Sequence, residues 1–139
     1  MKVGLYTGSF APFHAGHTDV LQRALQVFDR VIIARGINPD KPQPDDDALF
    51  IQQFNGDPRI EVIVYKKLLS DLVKDLRPTA VIRGLRNTQD FEYEKIQEYW
   101  YQDLGMAIPI VYFIADRSVT HVSSSAIRTM DKIMKWNDS

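Results

Sequence analysis

A chain of 139 residues, 45% hydrophobic and 25% charged, is ordinary globular material, enough for one domain with a single buried core. A formal net charge of −1 provides no basic field to attract nucleic acid or an anionic membrane, and the absence of cysteine removes disulfides, thiolate metal sites and cysteine nucleophiles together. The N-terminus meets Gly4 and Gly8 before it could build a signal-peptide core, and no apolar run approaches bilayer length, so a cytoplasmic protein with neither nucleic-acid nor membrane partners is expected.

In chain order, Val3–Tyr6 reads as a buried strand that stops at Thr7-Gly8. A loop holding Gly8, Pro12 and Gly16 follows. From His17 to Phe28 the apolar residues Val20, Leu21, Ala24, Leu25 and Phe28 recur at helical spacing. Val31–Ala34 is the second strand, ending in a polar stretch, Gly36 to Asp47, whose prolines 39, 42 and 44 mark it as a mobile loop. A short helix over Ala48–Phe54, a strand over Ile60–Tyr65 and a helix over Leu68–Leu76 come next. A fourth strand, Ala80–Ile82, ends at Arg83-Gly84. A charged helix over Asp90–Leu104, a strand over Ile108–Ile114 and a closing helix over Ser123–Trp136 complete the chain. Strands that alternate with helices, several of them continuously apolar, predict an α/β fold. The architecture expected is a Rossmann-like, doubly wound, five-stranded parallel sheet, with residues 1–139 forming one domain.

Ligands of such sheets bind beyond the carboxyl ends of the strands. Four polar segments fall there: Gly8 to His17 after the first strand, Lys41 after the second, Arg83 to Arg86 after the fourth and Ser123 to Ser125 after the fifth. In the first, glycines allow backbone to approach a phosphate, the following helix N-terminus attracts negative charge, and the imidazoles of His14 and His17 can hydrogen-bond phosphate oxygens. A zinc site on these histidines would need more ligands, and His121 is the one histidine left. Arg83 and Arg86 flank a glycine and could fork onto phosphate, or form salt bridges with Asp90, Glu92 or Glu94. A carboxylate in such a site would orient arginines or ribose, and acidic residues at a helix start also suit its dipole. Ser123-Ser124-Ser125 can cap the last helix and donate to phosphate oxygens, with Arg128 near the same helix end. Tyr93, Tyr99, Trp100 and Tyr101 cluster on one helix, where packing or a subunit interface explains them better than base stacking.

With His14-Ala15-Gly16-His17 as its H-x-G-H signature, the chain resembles the nucleotidylyltransferase superfamily. It is most similar to the phosphopantetheine adenylyltransferases. The match runs through Gly8-Ser9-Phe10, Pro12, Gly16-His17, Ile82 to Arg86, Asp90 to Glu94 and Ser123 to Ser125, in the family's order along nearly the whole chain. Ala11 stands where the family usually carries aspartate, His14 where it carries threonine or serine, and the segment after Lys41 is shorter. The resemblance implies transfer of the adenylyl group of ATP to 4'-phosphopantetheine, giving dephospho-coenzyme A and pyrophosphate, by in-line attack without a covalent intermediate. It implies that His17 stabilises the transition state, with Lys41 and Arg86 completing the catalytic set. ATP would be held by Ser9, Phe10, His14, His17, Gly84, Leu85, Arg86, Glu94, Val119, Thr120, His121, Val122, Ser123, Ser124 and Ser125. The acceptor would be held by Ser9, Lys41, Leu69 and Arg83. Magnesium would accompany ATP without protein ligands of its own, and the chain would form a homo-oligomer, a hexamer as in the family. The alternatives are another acceptor, nicotinamide mononucleotide or a polyol phosphate, and a nucleotide- or coenzyme A-binding module without turnover.

Overall fold

Each of the five strands carries apolar residues on both faces, which suits a parallel sheet covered on both sides. In the computed structural model, which describes residues 1–37, 47–86, 88–114 and 130–135, that sheet is present. It is built from β1 (Val3–Gly8), β2 (Arg30–Gly36), β3 (Ile60–Tyr65), β4 (Ala80–Leu85) and β5 (Ile110–Ile114). Every pairing is parallel and the spatial order is β3-β2-β1-β4-β5. The helices α1 (Ala15–Val27), α2 (Asp47–Gln52), α3 (Leu69–Leu76) and α4 (Thr88–Asp103) alternate with the strands.

The period-two alternation of side chains sorts the core into two layers. Tyr6, Val31, Ile33, Ala80 and Ile82 pack against Val20, Leu21, Ala24 and Leu25 of α1 and Phe50 of α2. Leu5, Ile32, Ala34 and Val81 point the other way, against Leu69, Leu72 and Val73 of α3 and Met106. The approach of β1 to its neighbours depends on a bare α-carbon at Gly4, where an added Cβ would lie 2.4 Å from Cδ1 of Ile82 and 3.1 Å from the Phe28 ring.

The chain runs β1, β2, β3 in one direction and then returns past β1 to build β4 and β5, so the strand order reverses between β1 and β4. The ladder also opens there. β1 pairs with β4 only through Gly4–Tyr6 against Ala80–Ile82. Beyond that point β1 continues along β2 to Gly8 and β4 continues along β5 to Leu85. The two central strands part at their carboxyl ends, and a crevice opens at the topological switch point.

Several boundaries differ by a residue or a few from those the sequence predicts, and four of them have a clear physical reason. Helix α1 begins at Ala15 and not at His17, because His14 acts as its N-cap. Strand β4 runs on to Leu85, because Arg83, Gly84 and Leu85 stay in the ladder with Tyr112, Phe113 and Ile114. Strand β5 starts at Ile110, past Pro109, which has no N–H to donate to the ladder. Helix α2 ends at Gln52, ahead of a turn whose Gly56 has φ +112°. Of the closing helix, residues 130–135 are described and helical.

Candidate active site

The crevice between β1 and β4 is a cleft of about 280 Å³. His14, Gly16 and His17 line it from one side, and Arg83, Gly84, Arg86, Asp90, Tyr93 and Glu94 from the other, above a floor of Tyr6, Thr7 and Phe10. Two of the four expected segments, at the ends of β1 and β4, therefore meet in one place, joined by the start of α4.

On the β1 side the two histidines build the start of α1. The Nδ1 of His14 accepts the backbone N–H of Gly16 at 3.0 Å, and the Nδ1 of His17 accepts the backbone N–H of His14 at 3.1 Å. This reciprocal arrangement is a capping box in which imidazole replaces the usual hydroxyl and carboxylate. The two rings stack with centroids 3.8 Å apart. Because Nδ1 of His17 is an acceptor, the proton of its neutral ring sits on Nε2. Burial is the main force holding that ring neutral; His14, Arg86 and Arg83 add to it, and the pKa falls to about 4. The result is a neutral imidazole with one N–H donor at the N-terminus of a helix, where anions are attracted.

Phe10 shapes the loop that leads to this helix. Its backbone is left-handed, with φ +47°, which is costly for a side-chain-bearing residue. Its ring is buried against Tyr6, Phe13, Phe50 and His17. That burial holds the strained backbone and supports the His17 ring from below, at 5.1 Å between centroids.

On the β4 side the two arginines differ in kind. Arg83 donates through Nε and Nη2 to one oxygen of Glu94, at 3.0 and 2.7 Å. Its Nη1 donates to the carbonyl and hydroxyl oxygens of Thr7, at 2.8 and 3.1 Å. Burial works against its charge, but Glu94 overcomes that effect and the Arg83 pKa is raised. Four contacts on five N–H donors leave Arg83 a fixed positive charge with little hydrogen-bonding capacity to spare. Arg86 is more than half exposed and is held at one end, its backbone N–H and Nε both donating to Asp90, at 2.9 and 3.3 Å. A guanidinium held through its Nε end and open to solvent has the geometry to fork onto an anion. The salt bridges weighed from sequence are thus real, and they divide the arginines into one fixed and one presented.

A second, apolar groove of about 320 Å³ adjoins the cleft on α4, and Tyr93 lines both. Leu68, Ile96, Trp100, Tyr101 and Leu104 supply its apolar wall. Along one edge Gln97 donates to the Tyr93 hydroxyl at 2.7 Å and accepts from the Tyr101 hydroxyl at 3.1 Å. Leu69, the expected apolar contact to the acceptor, lies on α3 and packs in the core, and its neighbour Leu68 is exposed and lines the groove. A helix start placed at Leu68 cannot tell which of two adjacent leucines turns inward.

Ser9 is exposed on the loop after β1, and its carbonyl accepts from Arg35. Gly84 and Leu85 continue β4 beside the cleft. Lys41, Val119, Thr120, His121, Val122, Ser123, Ser124, Ser125 and Arg128 lie outside the described residues. Sequence reasoning overlooked Thr7 and Arg35 as organising residues, while Asp90 is one of the carboxylates it offered as an arginine partner. Arg35 carried a legible signal, since alternation puts it on the same face of β2 as Val31 and Ile33. Among the described residues no group of three or more His, Asp or Glu could hold a metal ion, and no helix is long and apolar enough to cross a membrane.

Residues 5–130 match the cytidylyltransferase-like family. The phosphopantetheine adenylyltransferase of Flavobacterium psychrophilum is 36% identical over 92% of this chain and 87% of its own length. The chain belongs to the phosphopantetheine adenylyltransferase family. A second member, from Streptococcus uberis, is 38% identical over 93% of this chain and 81% of its own. Among solved structures, a lipopolysaccharide core biosynthesis protein from Thermoplasma volcanium superposes with a TM-score of 0.65 at 18% identity, over 84% of this chain and 98% of that one. At that identity the likeness speaks for the fold alone, the parallel α/β sheet with its flanking helices. Members of this family are nucleotidyltransferases, and this chain is one of them.

Proposed function

We propose that the chain transfers the adenylyl group of ATP to the phosphate of 4'-phosphopantetheine, giving dephospho-coenzyme A and pyrophosphate. The observation that carries this reading is the neutral His17 imidazole, with its donor on Nε2, facing the cleft opposite Arg83 and Arg86. An acceptor phosphate oxygen attacks the α-phosphorus of ATP. The new P–O bond forms in line as the bond from the α-phosphorus to its bridging oxygen breaks, and pyrophosphate leaves with that electron pair. No side chain is needed as nucleophile, so catalysis is positioning and stabilisation of charge on the non-bridging oxygens. The Nε2–H of His17 donates to those oxygens, Arg86 forks onto phosphate, and Arg83 supplies a fixed charge.

The substrates divide the two cavities. ATP occupies the polar cleft with its phosphates at the N-terminus of α1. The pantetheine arm, apolar but punctuated by amides, suits the groove of Leu68 and Trp100 with the Tyr93-Gln97-Tyr101 ladder along its edge. Lys41 and the segment Val119 to Ser125 complete the phosphate and nucleotide contacts in this proposal. Magnesium fits as a companion of the triphosphate: it would neutralise phosphate charge while resting on ATP oxygens, since Asp90 and Glu94 are engaged with arginines. The exposed apolar residues of α4 outside that groove, Phe91 and Tyr99, would be partly covered in a homo-oligomer, a hexamer by the family resemblance, acting in the cytoplasm.

Product analysis is the test. Incubation with ATP, magnesium and 4'-phosphopantetheine yields dephospho-coenzyme A, identified by mass, if the proposal holds. Binding of ATP without a new product would support the reading as a binding module, and product only from nicotinamide mononucleotide or a polyol phosphate would replace the acceptor.

A further inference from the structure

Strand β2 presents Val31, Ile33 and Arg35 to the same face of the sheet, and all three side chains are completely buried there. The first two are ordinary core. A guanidinium in the third place is expensive to desolvate, and an apolar residue of similar volume commonly serves stability equally well or better. Its contacts show what the charge does. Nε of Arg35 donates to the carbonyl oxygen of Ser9 at 3.2 Å. Nη1 reaches a carboxylate oxygen of Asp47 at 3.4 Å, and the guanidinium carbon lies 4.7 Å above the ring of Phe50. Phe50 in turn stacks on Phe10, which meets His17 edge-on.

We propose that Arg35 is a positioning residue for the phosphate-binding loop, which ties the Ser9 backbone and the Phe10–His17 stack to the start of α2. The role rests on the adenylyl-transfer reading above. Arg35 is not among the residues that line the cleft. It acts through Ser9 and through Phe50, joining three elements that meet at the end of β2: the strand itself, the loop after β1 and helix α2. Only a planar fork reaches an oxygen in the loop and another at the start of α2 while lying over the Phe50 ring one turn further along that helix. A loop holding one phosphate-contacting residue and leading to the transition-state donor needs such an anchor, because a displacement of about 1 Å costs on the order of a hundredfold in rate.

The experiment compares wild type with Arg35→Met, Arg35→Lys and Asp47→Asn, by thermal melting, calorimetric ATP affinity and steady-state kinetics at a temperature where all are folded. Arg35→Met should melt within a few degrees of wild type, bind ATP roughly tenfold more weakly and lose at least tenfold in kcat. Arg35→Lys, a single point donor, should recover only part of the loss. A lower melting temperature with unchanged ATP affinity and kcat would mean a merely structural role and would overturn the proposal. Should Arg35→Met fail to fold, Asp47→Asn decides, since it loosens one anchor at a half-exposed carboxylate: a loss of about threefold or more in kcat/KM for ATP supports positioning, and no loss overturns it. Wild-type chain that binds ATP but converts no acceptor would overturn the transfer reading alone, and the ATP affinities would still decide the role of Arg35.

Discussion

The backbone N–H of His14 donates to Nδ1 of His17 at 3.1 Å, and this one hydrogen bond selects which edge of the His17 ring can do chemistry. With Nδ1 occupied as an acceptor, the proton lies on Nε2, and the cap that starts helix α1 also fixes the tautomer of the donor proposed for the transition state. His17→Ala should therefore lower kcat about a hundredfold or more with little change in ATP affinity, as the loss of one preorganised donor does elsewhere. Unchanged turnover in that variant would remove His17 from the mechanism.

The same ring should resist protonation. Its folded pKa, about 4, lies below the ordinary value of 6.5, with burial the largest cause and His14, Arg86 and Arg83 following. The unfolded chain takes up the proton first as pH falls. The contribution of His17 to stability is thus complete above pH 6.5 and lost progressively between 6.5 and about 4. Titration of the histidine ring protons by NMR should show one imidazole with a midpoint well below 5. Midpoints all near 6.5 would contradict the proposed environment.

Arg83 and Glu94 should behave as a unit. The Glu94 side chain is 7% exposed and that of Arg83 25%, so Arg83→Ala leaves a carboxylate nearly buried without its partner. A loss of about 2 kcal/mol is expected, less than for a fully buried pair because Arg83 keeps some contact with water. Arg83→Leu combined with Glu94→Leu should restore most of that stability, and acceptor binding should stay weak. Chemical denaturation separates the two effects. A double variant with normal acceptor KM would show that the pair serves folding only.

Adjacent leucines offer a sharper contrast. Leu69 is 8% exposed in the core and Leu68 60% exposed at the groove. Leu69→Ala should destabilise by about 2–5 kcal/mol and leave the KM for the acceptor almost unchanged. Leu68→Ala should cost under about 0.5 kcal/mol and raise that KM several-fold. The reverse pattern would return the acceptor contact to Leu69.

Much of this architecture is legible in the residues alone, because helical and strand periodicities are clear wherever an element packs on one layer. Val20, Leu21, Ala24 and Leu25 announce α1, and the apolar run Val31–Ala34 announces β2. What escapes notice is polar chemistry inside regular structure. Histidine is not an expected N-cap, so α1 appears to start late. Arg83 looks like the end of a strand but continues the ladder, because Glu94 and Thr7 neutralise and satisfy it there. Arg35 looks like a strand's exposed end, although its parity with Val31 and Ile33 directs it inward. The H-x-G-H and R-G-L-R segments meet in one cleft as expected, and their division of labour depends on partners that only the fold brings within reach.

The most direct measurement is pyrophosphate release from ATP and magnesium across a panel of acceptor phosphates, with wild type and His17→Ala side by side. The account predicts turnover with 4'-phosphopantetheine far above that with nicotinamide mononucleotide or polyol phosphates, reduced about a hundredfold or more in the variant. Preference for another acceptor, or equal rates in the two proteins, would contradict it.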